Sequence, residues 1–226
     1  MTEKHSTTKI FESWLGTGKG HFQSMPILIW LNAFTIIMLS GLSIYAKVKS
    51  KGDRIDSLFT DPFNSGSYYY GWLTSVSEIL WVIAIAICIF SALLLPKNRR
   101  FQIFLWGSAI VMLVLFFDDR FRITLLLCAF FGTCKVVKLG VYSIYGILLV
   151  SYAVLFRRTI RLTPYFPLLA AFFLFGFSSA IDIAPISSLG IHAMLEDGTK
   201  LIGLINLAIY FCWICQQEIK KNIAQK

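Results

Sequence analysis

The stretch "WVIAIAICIFSALLL", residues 81–95, decides the fold class of this chain. It carries no charged side chain and shows no alternation of polar and apolar residues. Lipid cannot hydrogen-bond a backbone, so an apolar run of this kind forms a helix, whereas membrane-spanning strands would alternate. The composition agrees, because 57% of the residues are hydrophobic and only 15% are charged, against about a quarter in a soluble domain. The sequence therefore predicts an all-α protein, a polytopic transmembrane helical bundle.

Apolar runs that approach or exceed the roughly 17 to 25 residues of a membrane-crossing helix recur along the chain. One further stretch, residues 121–137, is ambiguous because its apolar part is only about 12 residues long and Arg122 and Lys138 flank it. We predict that this stretch does not cross the bilayer, which gives six spans, with seven as the alternative. The predicted spans are residues 25–46, 72–95, 101–117, 139–156, 163–184 and 199–216.

The predicted organisation has three parts. Residues 1–24 form a polar cytoplasmic N-terminal segment, residues 25–217 form the transmembrane bundle, and residues 218–226 form a polar C-terminal tail. Within the first part, residues 10–15, "IFESWL", are amphipathic. They either lie in the membrane interface or belong to a frayed tail.

The net charge of +9 is explained by membrane topology rather than by nucleic-acid binding. Lysine and arginine accumulate in cytoplasmic loops, and the chain has no soluble domain to carry a basic groove. With six spans and the N-terminus inside, the basic stretches 97–100, "KNRR", and 157–161, "RRTIR", both fall inside. We therefore predict a protein of a bacterial inner membrane with both termini in the cytoplasm. The protein is expected to contact the lipid bilayer, and we predict no nucleic-acid partner.

The stretch "FFDDRFRI", residues 116–123, places four charges directly after an apolar run. In the six-span arrangement it lies at the outer membrane face, where most of the other acidic residues also fall. A carboxylate near hydrocarbon is costly when it is alone, so one cluster that shares cations, water or protons would satisfy several carboxylates. We predict that Asp118 or Asp119 lines one outward-facing polar pocket with Glu78, Asp182 and Glu196. Lys200 or an arginine of "DRFR" would be the counter-charge.

Each member of this cluster also has a simpler interpretation. Glu78 and Asp182 indicate a proton, ion or metal site, or carboxyl groups that separately reach the interface or hydrogen-bond between helices. The aspartates of "DDRFR" either belong to the site or neutralise their own arginines at a helix end. In "HAMLEDGTKLIG", residues 192–203, helical spacing places the charged side chains on one face of a helix. This face either belongs to the site or forms a ladder of salt bridges, with Gly203 allowing close helix contact. The candidate site residues are Glu78, Asp118, Asp119, Asp182, His192, Glu196, Asp197 and Lys200.

The supply of metal ligands limits the chemistry. Of the three histidines only His192 falls near the acidic cluster, so one chain cannot supply a tri-histidine zinc site. No cofactor is predicted, although a harder cation bound by carboxylates stays open. Cys212 and Cys215 share one helix face, a spacing that favours packing over redox or metal use, and Cys128 and Cys134 could form a disulfide on the outer side.

Two stretches together, "FFDDRFRITL" (116–125) and "LEDGTKLIGLINLAIYF" (195–211), resemble a group of uncharacterised bacterial multi-pass membrane proteins. That group carries a DDxFxxHE motif and a later EEGxKxxG motif, and it is distantly similar to membrane hydrolases of the alkaline ceramidase type. "VVKLGVYSIYGILLV" and "FSSAIDI" resemble its middle region. The resemblance implies a compact helical bundle with polar residues at one face. The chain departs from the motif at Thr124 and Leu125, which stand where the group has His and Glu.

Three function hypotheses follow. The first is a non-enzymatic membrane protein that acts through helix contacts with a partner or with itself. The second is a membrane-embedded lipid hydrolase, which the scarcity of histidine disfavours. The third is a small transporter or ion-coupled carrier using Glu78 and Asp182, which the lack of an internal repeat disfavours.

Overall fold

The computed structural model describes residues 26–49, 58, 71–95, 98–184 and 189–224. In these ranges the regular structure is entirely helical. The helices in chain order are α1 (Pro26–Lys49), α2 (Trp72–Leu94), α3 (Arg99–Phe121), α4 (Ile123–Phe131), α5 (Cys134–Leu155), α6 (Arg157–Arg161), α7 (Phe166–Ile183) and α8 (Leu189–Ala224).

Six of these helices, α1, α2, α3, α5, α7 and α8, are long and apolar enough to cross a membrane. The predicted all-α bundle with six spans is therefore confirmed. The ambiguous stretch is not one of the six, because α4 has only 9 residues. At 1.5 Å per residue that helix is roughly 13 Å long, less than half the thickness of the hydrocarbon core.

The helices extend beyond the apolar runs that mark the spans in the sequence. Helix α3 continues through "DDRF" to Phe121, and α8 begins at Leu189 and continues to Ala224, so the described part of the polar C-terminal tail is helical. A helix can continue beyond the membrane because its backbone hydrogen bonds are internal. Hydropathy therefore locates the part of the helix that lies in lipid and not the helix ends. The predictions about residues 1–24 concern a part of the chain outside the described residues.

Helix α8 is the central element of the bundle and packs against α7, α2 and α1. Successive spans alternate in direction. Asn98, before α3, bonds Glu218 near the end of α8 at 2.7 Å, and Ser43 of α1 bonds Met194 of α8 at 3.1 Å. Consequently the C-termini of α1, α3 and α7 and the N-termini of α2, α5 and α8 lie at the same end of the bundle.

The two ends of the bundle differ in charge. We call the end where α8 begins the acidic end, and the opposite end the basic end. The described acidic residues other than Glu218 lie toward the acidic end, namely Glu78, Asp118, Asp119, Asp182, Glu196 and Asp197. The basic end carries Arg99, Arg100, Arg157, Arg158, Arg161, Lys220 and Lys221.

The core between the two ends is apolar and aromatic. Phe104, Leu204 and Tyr210 are fully buried, and the Trp81 ring stacks on Phe175 at 5.7 Å. A Cβ added at Gly203 of α8 would lie 3.1 Å from the Phe175 ring. The predicted role of Gly203 in close helix contact is therefore confirmed, since a side chain there would require the Phe175 ring to shift.

Helix α5 lies at the periphery of the bundle. None of its 22 residues is buried. It is held mainly through polar and aromatic side chains on one face, including Tyr152, whose hydroxyl donates to the Phe104 carbonyl at 2.9 Å. The short helix α4 packs against it, so α4 and α5 form a unit on the side of the core.

Candidate functional site at the acidic end

Asp118 stands at the junction of α3 and α4. A carboxylate near a helix C-terminus is unfavourable by itself, but the backbone N–H of Thr124 donates to Asp118 Oδ1 at 2.9 Å and the Thr124 hydroxyl donates to the same oxygen at 2.8 Å. Asp118 therefore caps the N-terminus of α4. The intervening Arg122 has φ of 49°, a left-handed conformation that makes the sharp turn between the two helices.

Asp119 connects α3 with two other spans. The Lys200 ammonium of α8 forms an ion pair with Asp119 Oδ1, and the Trp81 indole N–H of α2 donates to Asp119 Oδ2 at 3.3 Å. Both carboxylate oxygens are used, so this one side chain holds three spans together.

Glu78 is paired with an arginine of the same "DDRFR" stretch. Arg120 Nη1 lies 3.1 Å from Glu78 Oε1, and both side chains are about a quarter exposed. The cost of a carboxylate two turns inside α2 is therefore offset by an ion pair with α3. No described contact joins Glu78 to Asp182 or Glu196.

Asp182 is held by α5. Lys138 Nζ donates to Asp182 Oδ1 at 2.6 Å, and the Tyr142 hydroxyl donates to Oδ2 at 2.5 Å. The Tyr145 hydroxyl, one turn further, faces Asp118. Sequence reasoning missed these three residues as site members, although their spacing of four and three places them on one helix face.

The start of α8 contributes the remaining candidates. His192 Nδ1 lies 3.4 Å from Glu196 Oε2, one turn apart, which is the first step of the predicted ladder. The next step differs, because Lys200 turns to Asp119 of α3. Glu196 stays in electrostatic contact with Asp197, Asp182, Lys200 and Lys138.

These contacts place most of the predicted site residues in one neighbourhood. Asp197 interacts electrostatically with Lys200, Asp119, Arg122 and Asp182. Side chains of α3, α7 and α8 therefore meet there. Arg122 and Lys138, which flank the ambiguous stretch, both reach this end, as expected if α4 does not cross. Glu78 stands to one side with Arg120. A single pocket that includes all of them stays a prediction.

The structure also shows how the residue types that bind metals and the cysteines are placed. Within the described ranges, no three His, Cys, Asp or Glu side chains are grouped so as to hold a metal ion. Cys128 of α4 and Cys134 of α5 form a disulfide, as the sequence allowed. Cys88, Cys212 and Cys215 are free thiols.

Comparison with known proteins identifies a family. No curated protein and no solved structure matches the chain. A family model described as a domain of unknown function, DUF8692, matches residues 28–214. The match includes all six spans over most or all of their length, together with every candidate site residue. This multi-pass membrane protein therefore belongs to the DUF8692 family.

Proposed function

We propose that this chain is a bacterial inner-membrane protein that acts by contacting another transmembrane segment. In this proposal its basic end lies in the cytoplasm and its acidic end lies outside. The observation that carries the proposal is helix α5, a full-length span without one buried side chain. Spans that belong to a finished bundle bury one face against their neighbours.

The outward face of α5 has the composition of a helix-packing surface. Gly140, Ser143 and Gly146 are all exposed, and a Cβ added at Gly140 or Gly146 would meet nothing within 4 Å. Gly203, in contrast, is covered by the Phe175 ring. Glycine lowers helix stability and lipid gives it no compensating contact, so these glycines fit a surface that another helix approaches closely.

Two independent features support the orientation. Arginines are concentrated at the basic end, as in cytoplasmic segments of membrane proteins. The Cys128–Cys134 disulfide lies at the acidic end, and disulfides persist in oxidising compartments such as the periplasm.

Site-specific photocrosslinking in native membranes tests the proposal. A photoreactive residue at Ile147, which is exposed on the face of α5 that carries Gly140 and Ser143, should give adducts with protein. Mass spectrometry of the adducts separates a second copy of this chain from a different membrane protein. The matched control is Ile110 of α3, which is similarly exposed and should give lipid adducts. Adducts with lipid alone at Ile147 would contradict a contact function of α5.

A further inference from the structure

The basic end of the bundle carries arginines from two separate helices. Arg99 and Arg100 are the first residues of α3, and Arg157 and Arg158 are the first residues of α6. All four side chains are exposed. Among the described residues none of the four has a carboxylate partner, and Glu218, the described acidic residue of this end, is bonded elsewhere. We call these four residues the arginine patch.

Packing of α3 against the end of α5 brings the two helix starts together. The Phe104 ring of α3 lies 5.5 Å from the Phe156 ring, and Phe156 directly precedes α6. A Cβ added at Gly107 would lie 3.4 Å from the same ring. Arg100 shares this face of α3, because it precedes Phe104 by one helical turn. The starts of α3 and α6 therefore adjoin on one side of the basic end.

Exposed aliphatic side chains adjoin the arginine patch. Ile103 lies one turn into α3 from Arg99, and Leu155 is the last residue of α5 before the start of α6. Both side chains are exposed, and so is that of Leu162, which follows α6. A surface on which basic side chains lie next to exposed apolar ones matches an amphiphile rather than a free anion, since lipid headgroups bind to basic sites between membrane helices.

The residue type at the patch points to phosphate. Lysine and arginine contribute alike to membrane topology, and the end of α8, at the same end of the bundle, carries Lys220 and Lys221. The first residues of α3 and α6 are instead arginines. The guanidinium group is planar and donates two parallel hydrogen bonds to a phosphate. Arg99 and Arg100 also lie at the positive end of the α3 dipole, a cost that a bound anion would offset.

We propose that the arginine patch binds the phosphate of an anionic phospholipid, with the acyl chains along the exposed aliphatic side chains of α3 and α5. The guanidinium groups donate to the phosphate oxygens, and no covalent bond forms or breaks. An anionic headgroup fits better than a zwitterionic one, because a zwitterionic headgroup brings a cation of its own to a surface that is already positive. The lipid connects α3 with α6, and so holds the peripheral helix α5 to the core at the basic end.

Native mass spectrometry of the full chain in nonionic detergent, titrated with phospholipid, tests this inference. The wild-type protein should retain phosphatidylglycerol at lower lipid concentrations than phosphatidylcholine. Arg157→Gln combined with Arg158→Gln should weaken the apparent affinity for phosphatidylglycerol by about 25-fold, since each basic residue near an anionic membrane surface contributes a factor of about five. Thermal unfolding of the variant checks that it is folded.

Lys220→Gln combined with Lys221→Gln removes the same charge from the same end and is the matched control, which should keep the wild-type affinity. Arg157→Lys combined with Arg158→Lys keeps the charge but not the paired donors, so its affinity should lie between those of the wild type and the glutamine variant. Equal retention of both phospholipids, equal losses in the two glutamine variants, wild-type affinity in the lysine variant, or displacement of the lipid by inorganic phosphate would overturn the proposal. Crosslinking at Ile147 does not depend on this patch, so the two proposals fail independently.

Discussion

The acidic and basic ends of the bundle use charge in different ways. At the acidic end, ion pairs join α2 to α3, α3 to α8 and α5 to α7. At the basic end, the one described ion pair joins Lys221 to Glu218 within α8, with Lys221 67% exposed. Between helices that end is held by side chains such as Tyr210, which bonds Thr163 at 2.8 Å. Ion pairs therefore join helices at the acidic end, whereas the lysines and arginines of the basic end are exposed and are available to determine orientation.

The largest effect on stability should follow from removing Lys138. Its ammonium and the Asp182 carboxylate are 16% and 13% exposed, so Lys138→Met leaves a largely buried carboxylate with only Tyr142. We expect a loss of about 2–3 kcal/mol, below the range for fully buried pairs because some solvent remains. Unfolding in detergent by heat or by SDS measures it.

The matched control for Lys138 is Lys221→Met at the basic end, which should change stability by less than about 0.5 kcal/mol. Adding Asp182→Asn to Lys138→Met should recover part of the loss, since the unpaired charge is then gone. Equal effects of Lys138→Met and Lys221→Met would erase the difference between the two ends.

The disulfide between α4 and α5 should contribute the next largest effect. Cys128→Ser should cost about 2 kcal/mol, because the cross-link restricts the unfolded chain around a short loop. A reducing agent should lower the stability of the wild type to that of the variant and leave the variant unchanged. Cys212→Ser is the control, since this thiol is free and exposed. A wild type insensitive to reduction would show that the cross-link does not stabilise the acidic end.

A smaller effect is expected at the helix cap. Thr124→Val removes the hydroxyl that donates to Asp118 but keeps the shape, so we expect a loss of about 1 kcal/mol. Thr199→Val is the matched control, because the Thr199 hydroxyl bonds only carbonyls of its own helix. Thermal unfolding measures the stability of both variants. Equal losses of stability in Thr124→Val and Thr199→Val would refute the capping role.

The smallest effect on stability should come from the basic end. Arg157→Gln combined with Arg158→Gln removes two exposed charges, and stability should change by less than about 0.5 kcal/mol. The same variant should raise the fraction of inverted molecules, since these residues contribute to the positive-inside signal. A large loss of stability with unchanged topology would mean that these arginines serve packing.

The six spans could be predicted because an apolar run of sufficient length has one solution in lipid. Gly203 could be assigned to helix contact because a glycine in an apolar span lets a neighbouring helix approach closely. The partners within the site could not be predicted to the same degree. Asp182 pairs with Lys138, which lies 44 residues away in sequence, and such pairing depends on how the helices pack.

For two further features the sequence indicated which residues belong to the site but did not determine their contacts. Lys138, Tyr142 and Tyr145 share a helix face, but tyrosines in a span are also common at membrane interfaces. Asp118 and Asp119 are neighbours in sequence and have different roles, one as a cap for α4 and one as a bridge to α8. Adjacent residues on a helix point about 100° apart, so a shared motif did not imply a shared contact.

The opposite placement of the two ends across the membrane underlies the proposed orientation. Reporter fusions measure this placement directly, with one reporter at Lys226 and one inserted near Gly52, between the first two spans. We expect a cytoplasm-specific reporter to be active at Lys226 and a periplasm-specific reporter to be active near Gly52. Periplasmic activity at Lys226, or both positions on the same side, would contradict the six-span topology with a cytoplasmic basic end.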